Sequence, residues 1–177
     1  MKLTWFGGTT IRIHIGGAIL VLDADGAPAR IDAAELVSGA DQVIGGFGAR
    51  LAVVDGKEWK PRKVPRLVDE GDTLAPVEAW SAGAGAVLVD GIGEAPLLLV
   101  SGDVPVLGRW AESAVAVVFG DGARLAALGQ AMLADRVPRL LVLAGDEAAV
   151  DQAIPALRER LDGAGLVALE AGLALEV

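Results

Sequence analysis

The chain contains no cysteine. That absence rules out disulfides, thiolate nucleophiles and cysteine metal ligands together. Histidine occurs once, at His14, so one chain cannot assemble a histidine-rich zinc site, and a zinc site built largely on carboxylates is unusual. Tyrosine is absent, and tryptophan and phenylalanine together number seven in 177 residues. Long apolar runs are missing too. The longest stretch without a charged residue, Ala79 to Val89, falls well short of the roughly 18 residues a spanning helix needs. At the N-terminus Met1-Lys2 leads into Trp5-Phe6-Gly7-Gly8, and Arg12 interrupts any apolar core of a leader, so the expectation is a cytoplasmic protein without a membrane segment.

What is present is a large excess of small apolar residues. The chain is 53% hydrophobic with a mean hydropathy of +0.51, supplied mainly by Ala, Val and Leu. At this length a single domain over 1–177 can bury a real core. The net charge of −9 argues against nucleic-acid binding by the surface as a whole.

Leu3 to Phe6 reads as a short strand, and Ile11, Ile13 and Ile15 alternate with Thr10, Arg12 and His14 as a second strand with one buried face. Gly16-Gly17 turns the chain into Ala18 to Asp23, apolar on both faces. A short helix is expected over 30–37 with Asp32 as its cap, and a strand over Arg50 to Val54. Residues 57–66, rich in proline and charge, read as a loop or an edge. Strand-like runs follow at Val77 to Trp80, Ala86 to Asp90 and Pro96 to Ser101. In the last third strands and helices alternate. Strand Ala114 to Phe119 leads to helix Ala123 to Val137, then strand Arg139 to Ala144 to helix Glu147 to Leu161, with two short strands at 166–170 and 173–177. Strands first and βαβα later point to a mixed α/β (α+β) architecture with helices covering sheet faces.

Met1 to Asp25 (MKLTWFGGTTIRIHIGGAILVLDAD) resembles the opening of the metallo-β-lactamase superfamily, especially the branch containing ascorbate-6-phosphate lactonase. Trp5-Phe6-Gly7-Gly8 fills the slot of that branch's Trp-Leu-Gly-His, Leu22-Asp23 ends the third strand, and Leu99-Val100-Ser101-Gly102-Asp103 is similar to the segment supplying a metal-bridging aspartate. The resemblance implies an αββα sandwich of two mixed sheets with outer helices. It also implies a degenerate member. The family motif Thr-His-x-His-x-Asp-His fits best over Val37 to Gly46, where the ligand positions fall on Ser38, Ala40, Gln42 and Val43. Of the family's ligands Asp103 alone remains, and one carboxylate does not hold a divalent ion against water.

Other constellations are each weighed against a plainer role. His14, on the polar face of a strand beside Arg12, is a general base only with a partner and a cleft, and a solvated strand histidine is favoured. Asp23 and Asp25 stand two apart and, with Asp103, offer an all-oxygen Mg²⁺ or Ca²⁺ site, although turn-initiating aspartates are commoner. Gly120-Asp121-Gly122 links a strand to a helix, but Leu125 stands where a dinucleotide fingerprint requires a third glycine, so a plain turn is preferred. The charge distribution is uneven. Lys57, Lys60, Arg62, Lys63 and Arg66 against Glu58 give 57–66 a local net of +4. Trp59 within this run could stack on a partner, which makes 57–66 the candidate contact for an acidic or phosphorylated partner, with a solvated loop as the plainer reading.

The histidine count favours a non-catalytic domain that acts by binding or self-assembly, without a cofactor. Two alternatives stay open: a divergent hydrolase using Asp23, Asp25 and Asp103, with or without His14, on a non-zinc ion, and a small-ligand sensor that keeps the family's cleft. A homodimer is also expected, because strands apolar on both sides need cover on both sides and so few helices cover only part of two sheets.

Overall fold

The alternating apolar residues of the first quarter build one sheet, and the doubly apolar runs of the later chain build another. The computed structural model describes residues 1–63 and 77–177. Strands β1 (Lys2–Gly7), β2 (Thr10–Ile15) and β3 (Ala18–Leu22) form an antiparallel meander. Strand β4 (Gln42–Ile44) joins β3 in parallel, and the final strand β11 (Ala174–Glu176) returns antiparallel to β1. The sheet order is β11-β1-β2-β3-β4.

The second sheet contains β5 (Val77–Gly83), β6 (Ala86–Gly91), β7 (Leu97–Val100), β8 (Val115–Phe119), β9 (Leu140–Ala144) and β10 (Gly165–Ala168), in the order β10-β9-β8-β7-β6-β5. Its β5-β6-β7 portion is antiparallel and its β7-β8-β9-β10 portion parallel. Helix α1 (Ala33–Val37) precedes β4, α2 (Gly122–Asp135) connects β8 to β9, and α3 (Glu147–Arg158) connects β9 to β10. The result is the expected αββα sandwich of two mixed sheets flanked by helices. No described helix is long and apolar enough to cross a membrane.

Strand alternation explains where the core sits. Leu3, Trp5, Ile11, Ile13, Ile15, Leu20 and Leu22 pack against Val87, Val89, Leu97, Leu99, Val115, Val117, Phe119 and Val142 of the facing sheet. The opposite face of the second sheet, including Leu88, Leu98, Val118, Leu141 and Leu143, lies under Leu125, Leu128 and Met132 of α2 and Val150, Ala153 and Leu157 of α3. The helices approach closely because Gly129 has no side chain: a Cβ there would lie 2.7 Å from a methyl of Leu157. The outer face of the first sheet has a smaller cover, centred on Val21, Ala24 and Leu36. Strands β6 to β9 therefore find cover on both faces within one chain.

Two expectations need correction. The strand expected over Arg50 to Val54 is reduced to one parallel bridge, Val53 to Ser81, with Val54 N–H donating to the Ser81 carbonyl at 3.0 Å. Val53 is 81% exposed, and Asp55 then turns the chain by accepting from Lys57 N–H at 2.9 Å. Conversely, Gln42 to Ile44, read as part of a motif slot, is a strand.

Candidate functional site

The parallel strands end where ligands commonly bind in α/β sheets, outside the carboxyl ends of the strands. Here the loops after β1, β8, β9 and β10 enclose a cleft of about 1410 Å³. Gly7 to Thr9 form one wall, with Pro28 and Arg30 beside them. The opposite wall is Gly120 to Gly122 and Ala144 to Asp151, and Ala168 to Ala171 close the end. Trp5, Phe119 and Leu169 give it an apolar floor; all three are buried. The Trp5 indole N–H donates to the Gly8 carbonyl at 3.0 Å, which fixes the ring and the loop together.

Both long helices begin at this cleft, and both are capped. Asp121 accepts from Arg124 N–H at 2.9 Å and Asp146 from Ala149 N–H at 2.8 Å, the side-chain capping that satisfies orphan donors at a helix start. The cap carboxylates already place negative charge on each helix N-terminus. Glu147, Asp151 and Glu170 add more at the rim, against Arg30 and Arg124. The cleft consequently disfavours a phosphate and suits a ligand with an apolar body and hydrogen-bond donors. Gly145 holds the floor together: a Cβ there would stand 2.7 Å from a Leu125 methyl and 2.9 Å from the Gly120 carbonyl oxygen.

The sequence candidates scatter. Asp23 is held at the end of β3 in a left-handed conformation (φ 55°, ψ 51°). Its carboxylate accepts from the Thr9 hydroxyl and its carbonyl from Thr10 Oγ1 at 2.7 Å. Asp25 is exposed. Asp103 is 94% exposed and stands 3.7 Å from the Arg124 guanidinium. Among the described residues no three of His, Cys, Asp or Glu come close enough to share a metal ion. Asp23, Asp25 and Asp103 therefore do not form the all-oxygen site that their spacing allowed. Ser38 and Ala40 precede β4, Gln42 and Val43 lie within it, and Val43 is 53% exposed. The loop leaving β4 beside Asp23 is Gly45 to Arg50, which also lacks a histidine and a carboxylate. These donors do not fit the family's metal centre.

His14 sits away from the cleft on β2, opposite Lys2 and Ile19 in the neighbouring strands. Burial first, and then the charges of Arg12 and Lys2, hold its imidazole pKa below the ordinary value. Arg12 donates to the carbonyls of Leu36 at 2.6 Å and Ser38 at 2.9 Å, so it anchors α1 rather than activating His14.

In the basic segment, Trp59 turns inward. Its ring packs edge-on against Trp80 at 5.8 Å and Trp110 at 4.9 Å. Arg62 reaches Asp90, whose side chain is 1% exposed, through Nε at 2.8 Å, and Glu78 at 3.4 Å. Lys57, Lys60 and Lys63 remain exposed; Arg66 lies outside the described residues. Sequence reasoning missed the Thr9–Asp23 contact and the loops that wall the cleft. The paired glycines at 7–8 and at 120 and 122, each closing a strand, were the available signal.

Among described residues, then, the chain shares with the metallo-β-lactamase superfamily a two-sheet, helix-flanked sandwich, without a cluster of metal donors. Comparison with family models, with curated proteins and with solved structures finds no match to this chain.

Proposed function

We propose that this protein is a non-catalytic, cytoplasmic binding domain on a metallo-β-lactamase-like scaffold, and that it takes a small organic ligand in the cleft at the carboxyl ends of β1, β8, β9 and β10. The observation that carries this reading is the cleft's composition: about 1410 Å³ with an apolar floor of Trp5, Phe119 and Leu169. A cavity of that size accommodates a drug-sized molecule, while hydrolysis on this scaffold would need donors that Ser38, Ala40, Gln42 and Val43 do not supply.

The test is a fragment screen on ¹⁵N-labelled protein in EDTA. Apolar amines and amides are expected to shift the amides of Thr9, Gly120, Gly122, Gly145 and Glu147. Hits confined to other surfaces, or binding that appears only when a divalent metal is added, would contradict the proposal.

A further inference from the structure

Three of the chain's four lysines fall within seven residues, at 57, 60 and 63. In the segment 57–63 the inward residues are Trp59 and Arg62, three apart, and the outward lysines keep the same spacing. The inward pair fastens the segment to the body. Trp59 fills the space between Trp80 and Trp110, and Arg62 donates to both the carboxylate and the main-chain carbonyl of buried Asp90, at 2.8 and 2.6 Å. Lys57, Lys60 and Lys63 are therefore displayed from a fixed backbone, and none of them is in an ion pair among the described residues.

The neighbouring loop adds to this surface. Gly108 N–H donates to the Gly56 carbonyl at 3.0 Å and Trp110 Nε1 to the same oxygen at 2.6 Å, so residues 106–110 run beside 56–57. That loop exposes Arg109, also without an ion pair among the described residues, and Val106, which is 67% exposed. Val53, at 81%, precedes the segment on the free edge beside β5. Two of the four large hydrophobic residues with high exposure among those described thus flank these four cations. Asp55 and Glu58 interrupt them, and Asp55 is engaged with the Lys57 N–H.

We infer that this face docks an acidic protein segment, one in which Asp or Glu side chains meet the lysines and Arg109 while apolar residues cover Val53 and Val106. Charge complementarity selects the partner: with Arg62 engaged by Asp90, the face displays Lys57, Lys60, Lys63 and Arg109 against Asp55 and Glu58, a net of +2 on a chain whose total is −9, so an acidic segment is drawn to this face and repelled elsewhere. A nucleic acid fits less well. Trp59 is committed to its aromatic neighbours and cannot stack on a base, and the rest of the surface repels a polyphosphate.

The experiment titrates the full chain against a short fluorescein-labelled peptide of Glu-Asp pairs and leucines, with an oligothymidylate of matching charge in parallel. The peptide should bind in a salt-sensitive manner and more tightly than the oligonucleotide. The triple variant Lys57→Glu/Lys60→Glu/Lys63→Glu should weaken it by about tenfold or more. Val53→Ser/Val106→Ser, which leaves the charges in place, should weaken it at high salt as well. Tryptophan fluorescence confirms that each variant keeps the Trp59 cluster. Absence of peptide binding, an unchanged affinity in the triple variant, an oligonucleotide that binds as tightly, or sedimentation showing that a second copy of the chain already covers the face would each overturn the inference.

Discussion

Replacing Arg62 by methionine tests whether the basic segment is fastened as described. The substitution keeps most of the side chain's apolar bulk and removes the guanidinium from a carboxylate that is 1% exposed. Breaking a buried pair by deleting one partner costs about 3–5 kcal/mol, because the remaining charge is left uncompensated. Asp90 would keep one donor, the Arg62 backbone N–H at 3.2 Å, so the lower end of that range, about 3 kcal/mol, is expected. For a chain of this size such a loss lowers Tm by about 6–12 °C, and with a urea m-value of about 2–3 kcal/mol/M the midpoint falls by about 1–1.5 M. The double variant Arg62→Met/Asp90→Val should recover about 2 kcal/mol of this, since removing both charges removes the desolvation penalty as well. An Arg62→Met protein within about 0.5 kcal/mol of the parent, or a double variant no more stable than Arg62→Met alone, would refute the reasoning.

Gly145→Ala should cost about 2–3 kcal/mol in urea unfolding, because the added methyl meets the Gly120 carbonyl at 2.9 Å and backbone does not yield easily. Asp146→Ala should cost about 1 kcal/mol through loss of the cap on α3, with far-UV circular dichroism little changed. The imidazole of His14 has its pKa lowered by burial and by Arg12 and Lys2, so the unfolded chain binds the extra proton more readily. Its contribution to stability is complete above about pH 6.5 and falls as pH drops through the lower folded value. His14→Gln should therefore flatten the decline in stability between neutral and mildly acidic pH, and an unchanged pH profile would count against it.

The regular elements were legible because their signals are local. The Ile11, Ile13, Ile15 alternation marks β2, and Leu125, Leu128 and Met132 mark the buried side of α2. Asp32 is recognisable as a cap and accepts from Ala34 N–H at 2.8 Å. Trp59 was misleading for a physical reason. A tryptophan amid lysines and prolines reads as displayed, yet Trp80 and Trp110, distant in sequence, provide its pocket. Arg62 likewise finds its partner at the end of β6, which no spacing rule encodes. Short β4 was hidden because three residues carry too little periodicity, and the Arg50 to Val54 run was overread because its apolar residues face solvent at Val53. The resemblance implied a cleft, but its walls could not be read from spacing. They come from loops between Gly7 and Ala171 that only the stacking of two sheets brings together.

The claim that this scaffold works by binding without a metal is tested most directly by elemental analysis of protein purified without chelator or added metal, followed by calorimetric titration with Zn²⁺, Mn²⁺ and Mg²⁺. The arrangement of Asp23, Asp25, Asp103 and His14 predicts substoichiometric metal and no saturable heat for any of the three ions. One equivalent of metal in the purified protein, or a saturable isotherm abolished by Asp23→Asn or Asp103→Asn, would contradict it.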